Sequence, residues 1–331
     1  MNRLLLLVFA WGFSAHALCS SVEPDPAKLR LMSANALVFD AAAQRAVFAK
    51  AADEVTPIAS QTKLMTAMVV LDAGQPDDEV IAIQNEDFDF LKGSRSRLRM
   101  GTMLPRRELL RLALMSSENR AASSLARHYP GGTPAFVAAM NAKAAALQMT
   151  STHYVDATGL SADNVSTAND LARLVQTAAT YPLIREFSTT PAHFVELHPT
   201  GKWLTFNNSN ALVKSQAWDI QLQKTGYIRE AGRCLVMLTT ISARPFVIVL
   251  LDSNGKYTRL GDAQRVKRWL ETGEASIPVS GTASQRYHGS FPARQREVVR
   301  ITFSPNAARG GVYAVKLTQP KRRTKLSKHR V

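Results

Sequence analysis

Residues 57–68 read Pro57-Ile-Ala-Ser60-Gln-Thr-Lys63-Leu-Met-Thr-Ala-Met68. A helix is expected to begin near Ser60 and to run through Leu64, Met68 and Leu71 to a stop at Gly74. At a helix start, residues three apart share a face, so the Ser60 hydroxyl and the Lys63 ammonium can touch. A serine hydroxyl is a poor nucleophile unless a base takes its proton. Lysine can be that base if desolvation lowers its pKa, and Leu64, Met65 and Met68 make this helix apolar nearly all round. The positive end of the helix dipole also favours negative charge developing near Ser60. Alone, Ser-x-x-Lys is common by chance and describes equally well a capped helix with a snorkelling lysine.

Two further triplets change that balance. Ser117-Glu118-Asn119 falls in the break between two expected helices, where a hydroxyl can relay a proton and an amide can hold a substrate amide. The plainer reading is an N-cap for the helix starting at Asn119. Lys224-Thr225-Gly226 falls on an expected strand. A cation and a hydroxyl there can clamp a carboxylate, and glycine lets a substrate backbone lie against the strand edge. Its plainer reading is a surface lysine beside a turn glycine. Taken together, the three triplets occur in the chain order and context of penicillin-binding proteins and serine β-lactamases.

The wider chain resembles the low-molecular-mass penicillin-binding proteins, within them the D-alanyl-D-alanine endopeptidase type. The likeness is carried by residues 57–68, by Leu112 to Ala122 and by His128-Tyr-Pro-Gly-Gly132. It continues in Thr158-Gly-Leu160, Asn164 to Ala168 and Leu222-Gln-Lys-Thr-Gly226, and covers about 34–273. The resemblance implies that Ser60 attacks a D-alanyl carbonyl and that Lys63 is its base. It implies that Ser117 and Asn119 relay protons and position substrate, and that Lys224 and Thr225 bind its carboxylate beside Gly226. The oxyanion hole would come from the backbone N–H groups of Ser60 and Tyr227. The implied substrates are peptidoglycan cross-links, with β-lactams as mimics that trap Ser60. No metal or cofactor is implied. Ile228 departs from the threonine common in the family two places after the glycine, which bears on the shape of the carboxylate pocket. The readings left open are a D,D-carboxypeptidase using the same residues and a catalytically idle wall-binding protein. A β-lactamase is disfavoured, since no carboxylate is obviously placed to activate a deacylating water.

Around these triplets, Ala34 to Asp40 and Arg45 to Ala49 read as a hairpin. Pro105 and Thr133-Pro134 mark expected helix starts, each proline in the first helical position, and Thr167 to Asp170 resembles a capping box. Ile220 to Ile228, Cys234 to Ser242 and Phe246 to Leu251 read as consecutive antiparallel strands, and a last helix should span Arg259 to Glu271. The expected fold class is α/β of the α+β kind, β-lactamase/transpeptidase-like. An antiparallel sheet from both chain ends is flanked by helices, with a helical subregion beside it.

The 331 residues are 46% hydrophobic and 20% charged, a globular balance. Asn2-Arg3, the apolar run to Phe13 and Ala15-His-Ala17 read as a secretory signal over 1–17, followed by a leader over 18–29. The catalytic domain is expected over 30–275 and a partly disordered basic extension over 276–331. The periplasm is then the expected compartment. Of the formal net charge of +15, residues 285–331 carry +11, twelve Lys and Arg against Glu297. Anionic wall or membrane surface is the expected partner of that tail rather than nucleic acid. Within it, Val298 to Phe303 and Val312 to Leu317 could form a small hairpin. A Cys19–Cys234 pairing is left open, although Cys234 reads better as a small buried hydrophobe. The histidines show no zinc-ligand spacing, and neither a G-x-S-x-G elbow nor a P-loop occurs.

Overall fold

A computed structural model describes residues 24–276. The expected signal segment, Cys19 and the basic tail with its hairpin lie outside the described residues. Strand β1 (Asn35–Asp40) and strand β2 (Arg45–Lys50) form the first hairpin. The short β3 (Thr56–Pro57) leads to a 3₁₀ turn, Ala59–Gln61, and helix α1 (Thr62–Asp72). Then come β4 (Val80–Ala82), β5 (Met103–Pro105), and helices α2 (Arg106–Met115), α3 (Asn119–Arg127) and α4 (Gly132–Ala146). After β6 (Val165–Ser166) come α5 (Ala168–Ala178) and α6 (Pro182–Thr189), and then a hairpin of β7 (Ala192–Leu197) and β8 (Lys202–Asn207). The chain returns through β9 (Asp219–Ile228), β10 (Gly232–Ile241) and β11 (Arg244–Ser253) to α7 (Thr258–Thr272).

The main sheet runs β2-β1-β11-β10-β9, antiparallel throughout, so its first and last strands in sequence pair side by side, β1 with β11. Because side chains alternate across a strand, its central strands bury both faces. Leu37, Val247, Val249 and Leu251 pack into the helical layer around α1. Val38, Ile248 and Leu250 pack on the other side with Val266 and Trp269 of α7. Every residue from Thr62 to Val70 is buried, so α1 is the central post of the helical layer, as an all-round apolar helix must be. Cys234 sits buried in β10, where burial pushes its thiol up to about 12. No helix among the described residues is long and apolar enough to cross a membrane.

Two helix starts differ from expectation. Pro105 is the last residue of β5, paired with Val80, and α2 begins one residue later. The α4 helix begins at Gly132 rather than at Thr133-Pro134. Gly131 and Gly132 both take positive φ (85° and 71°), which turns the chain out of α3 sooner than a threonine cap would. The hairpins β4–β5 and β7–β8 were not anticipated. The first is too short to show a period, and the second alternates across a turn with mixed polar residues.

Candidate active site

Ser60 occupies the 3₁₀ turn immediately before α1, raised there by Ala59 at φ 49°, a left-handed conformation that non-glycine residues rarely adopt. Lys63 follows on the first turn of α1 and is 0% exposed, so it does not snorkel. Its Nζ donates to Ser60 Oγ at 2.9 Å, to Asn119 Oδ1 at 2.7 Å and to the Thr158 carbonyl at 2.6 Å. Burial brings the Lys63 pKa down to about 7, against the opposing pull of Asp156 and Glu118. A neutral amine has two N–H donors and one lone pair. With Asn119 and Thr158 taking the two donors, the lone pair is left for the Ser60 hydroxyl.

The middle triplet is not a helix cap. The α3 helix starts at Asn119 after Glu118, with no side-chain cap bond, and Ser117 stands at φ 63° between α2 and α3. Asn119 uses its amide instead to join Lys63 to Ser94 Oγ, donated to at 2.9 Å. The third triplet lies in β9. Lys224 is 0% exposed, and its Nζ donates to Ser117 Oγ at 2.8 Å and to the Thr225 carbonyl at 2.9 Å. Burial, then the charges of Lys63 and Arg259, hold Lys224 well below the usual lysine range. Thr225 Oγ1 donates to Ser209 Oγ at 2.7 Å.

β9 is the edge strand of the sheet, and an edge strand offers unpaired backbone N–H and C=O groups to an extended ligand. Gly226 sits where that strand meets the nucleophile turn. A Cβ there would lie 3.1 Å from the Ser60 nitrogen and 2.2 Å from Gln61 Oε1. All eight residues singled out by sequence, Ser60, Lys63, Ser117, Asn119, Lys224, Thr225, Gly226 and Tyr227, gather at one place. Lys63 and Lys224 lie beneath a cavity of about 470 Å³ and the other six line it. Tyr227 is 54% exposed on the rim.

Sequence reasoning did not single out Ser94, Thr158, Ser209 or Arg259 as individual site residues. Arg259, at the first turn of α7, lines the cavity and donates from Nη1 to the Gly226 carbonyl at 3.1 Å. Burial, with Arg233 nearby, holds its pKa below the usual arginine value. Ser94 and Ser209 lie on loops without periodicity. Only the distance in chain hid them.

The arrangement is a hydroxyl beside a desolvated amine, a second buried amine, and an open strand edge. The D-alanyl-D-alanine carboxypeptidase family profile matches residues 21–255. The chain belongs to this family. As a family member it is a serine D,D-peptidase of the penicillin-binding type. A D-alanyl-D-alanine endopeptidase of Pseudomonas aeruginosa is 49% identical over 85% of this chain and 93% of its own length. One from Escherichia coli is 44% identical over 84% of this chain and 90% of its own. The solved Streptomyces K15 DD-transpeptidase superposes with a TM-score of 0.68 at 27% identity, covering 72% of this chain and 97% of that one.

The family site makes a pH prediction. Protonated Lys63 has no lone pair, so acylation by a penicillin should be slow below pH 7. The rate should rise through an apparent pKa near the Lys63 value of about 7 and then level off. Stopped-flow acylation from pH 5.5 to 9 measures this. A rate flat across the range would remove Lys63 as the base.

Proposed function

We propose that this D,D-peptidase cleaves D-Ala cross-links of peptidoglycan, with Ser60 as nucleophile and Lys63 as general base. The observation that carries the reading is the fully buried Lys63 amine, 2.9 Å from the Ser60 hydroxyl. Ser60 Oγ bonds to the D-alanyl carbonyl carbon as its proton passes to Lys63. The oxyanion that forms is held by the backbone N–H groups of Ser60 and Tyr227. The carbon–nitrogen bond then breaks as the leaving amine takes the proton held by Lys63, passed on through Ser117, which Lys224 holds in place, and Lys63 is left neutral. Water attacks the resulting ester, its proton going to Lys63, and Ser60 is regenerated. Thr225, Ser117 and Lys224 form the clamp for the carboxylate next to the scissile bond, with Arg259 adding positive potential from α7. Asn119 positions the acyl side and fixes Lys63. β-Lactams present the same carbonyl and carboxylate and should acylate Ser60.

The cross-link assignment rests on the two relatives named endopeptidases at 49% and 44% identity. Removal of a terminal D-Ala is the second reading, supported by a Streptomyces relative named a carboxypeptidase at 29% identity. Mass spectrometry of a mixture of cross-linked muropeptide dimer and uncross-linked pentapeptide separates them. Conversion of dimer to monomers is expected. A surviving dimer beside trimmed pentapeptide would make the enzyme a carboxypeptidase. Peptidoglycan lies outside the cytoplasmic membrane, so this substrate places the enzyme's work in the periplasm.

A further inference from the structure

A second groove, a cavity of about 570 Å³, opens beside the catalytic pocket and is used by no step above. One wall is the segment before β5, with Ser96, Arg97 and Arg99; the other is the β7–β8 hairpin, with Thr200, Lys202 and Leu204. The walls are tied together. The Met103 N–H donates to the His198 carbonyl at 2.8 Å, and Arg97 Nη1 donates to the Thr205 carbonyl at 2.5 Å. The Arg97 guanidinium also lies 3.8 Å over the Phe206 ring. Among the described residues, three cations therefore line a braced groove and no carboxylate does. Arg99 and Lys202 are exposed, and among the described residues their side chains form no ion pair or hydrogen bond.

The position of the groove matters more than its charge. Ser94 lines the catalytic pocket and Ser96 lines the groove. Two residues of chain separate their backbones by at most about 7 Å. Ser96 Oγ donates at 2.6 Å to Glu118, the residue between Ser117 and Asn119. On the other wall, β8 runs from Leu204 toward Ser209, the partner of Thr225. The β8 wall thus reaches the groove from the carboxylate clamp, the side of the scissile bond on which the leaving group lies, while the other wall reaches it from Ser94, bonded to Asn119.

We infer that this groove binds the carboxylates of the leaving stem peptide of a cross-link, and so favours cross-linked over uncross-linked substrate. This rests on the cross-link reading above. A released D-Ala is a single residue and ends at the clamp. The leaving side of a cross-link instead carries a diamino acid and the rest of a second stem, with free carboxylates beyond the clamp. Exposed cations that pair with no carboxylate among the described residues suit that charge, and the apolar Met100, Leu197 and Leu204 that also line the groove suit its methylene groups.

The test reverses two groove charges, Arg99→Glu with Lys202→Glu, and compares three peptides: the dimer, the dimer with its stem carboxylates amidated, and the pentapeptide. The ratio of kcat/KM for dimer to that for pentapeptide should fall about tenfold, and the drop should shrink at high salt. The amidated dimer should bind parent and variant within about twofold. A ratio that does not change, or an equal loss on both dimers, overturns the inference. Dissociation constants measured in a Ser60→Ala background keep this independent of turnover. If the parent enzyme leaves the dimer intact, the cross-link reading fails. Selective weakening of the carboxylate dimer would then still support the groove, and equal binding of both dimers would refute it. A melting scan shows whether the variant is folded.

Discussion

Ser60→Ala is expected to abolish covalent labelling by a fluorescent penicillin and to lower muropeptide cleavage by at least about 10⁴-fold. The hydroxyl is the only atom removed. It accepts from Lys63 Nζ at 2.9 Å and lies 3.5 Å from the Thr158 carbonyl. Lys63 keeps Asn119 and Thr158 as partners, so no buried charge is orphaned. Losing one hydrogen bond of this kind costs about 1 kcal/mol, and the melting temperature should fall by only a few degrees. A denaturing gel after penicillin treatment distinguishes covalent from reversible binding. A label that survives denaturation in the variant would move the nucleophile elsewhere, with Ser117, whose hydroxyl is bonded to buried Lys224, the first to test.

Gly159→Ala should produce the largest loss of stability together with a loss of acylation. Gly159 has φ +78°, and a Cβ there would lie 1.9 Å from the Ala59 carbonyl oxygen, 2.4 Å from its carbon and 2.8 Å from Thr62 Oγ1. The left-handed φ alone costs about 1–2 kcal/mol, and overlap with buried backbone adds about 1–3 kcal/mol. A drop in melting temperature on the order of 10 °C follows. The displaced atoms belong to the strained turn that raises Ser60, and the preceding carbonyl, Thr158, anchors Lys63. Asp156 fixes this loop through the N–H groups of Thr158 and Gly159, at 2.5 and 2.6 Å, so the loop cannot simply move away. Acylation should fall about 100-fold, the scale of a misplacement near 1 Å. Gly74→Ala is the control: it also has positive φ, +59°, but open space around the Cβ, so only the conformational cost applies. Equal melting shifts and acylation rates for the two variants would refute the argument.

Helix boundaries and the late strands were legible because apolar periodicity and turn residues are local signals. The β9, β10 and β11 strands lie within two or three residues of their expected limits, and α7 closes at Gly273 as its left-handed cap requires. The proline starts at 105 and 134 misled because a pairing partner, Val80, and a glycine pair claimed those positions first. The two short hairpins escaped because pairing with a partner strand, not the strand's own pattern, stabilises them.

The sequence by itself determined the chemistry available to this protein. Ser60 and Lys63 sit three apart on an apolar helix, and the two later triplets follow in family order, which points to serine acyl transfer before any coordinate. What only the tertiary structure decided is the environment of those groups. No spacing says that Lys63 and Lys224 lose all contact with water, and burial is what brings Lys63 to about 7. Nor does any local pattern place Ser94, Thr158, Ser209 and Arg259 against residues far away in the chain, or set a braced cationic groove beside the clamp. Desolvation and convergence depend on contacts between distant segments, and those exist only once the sheet has paired β1 with β11.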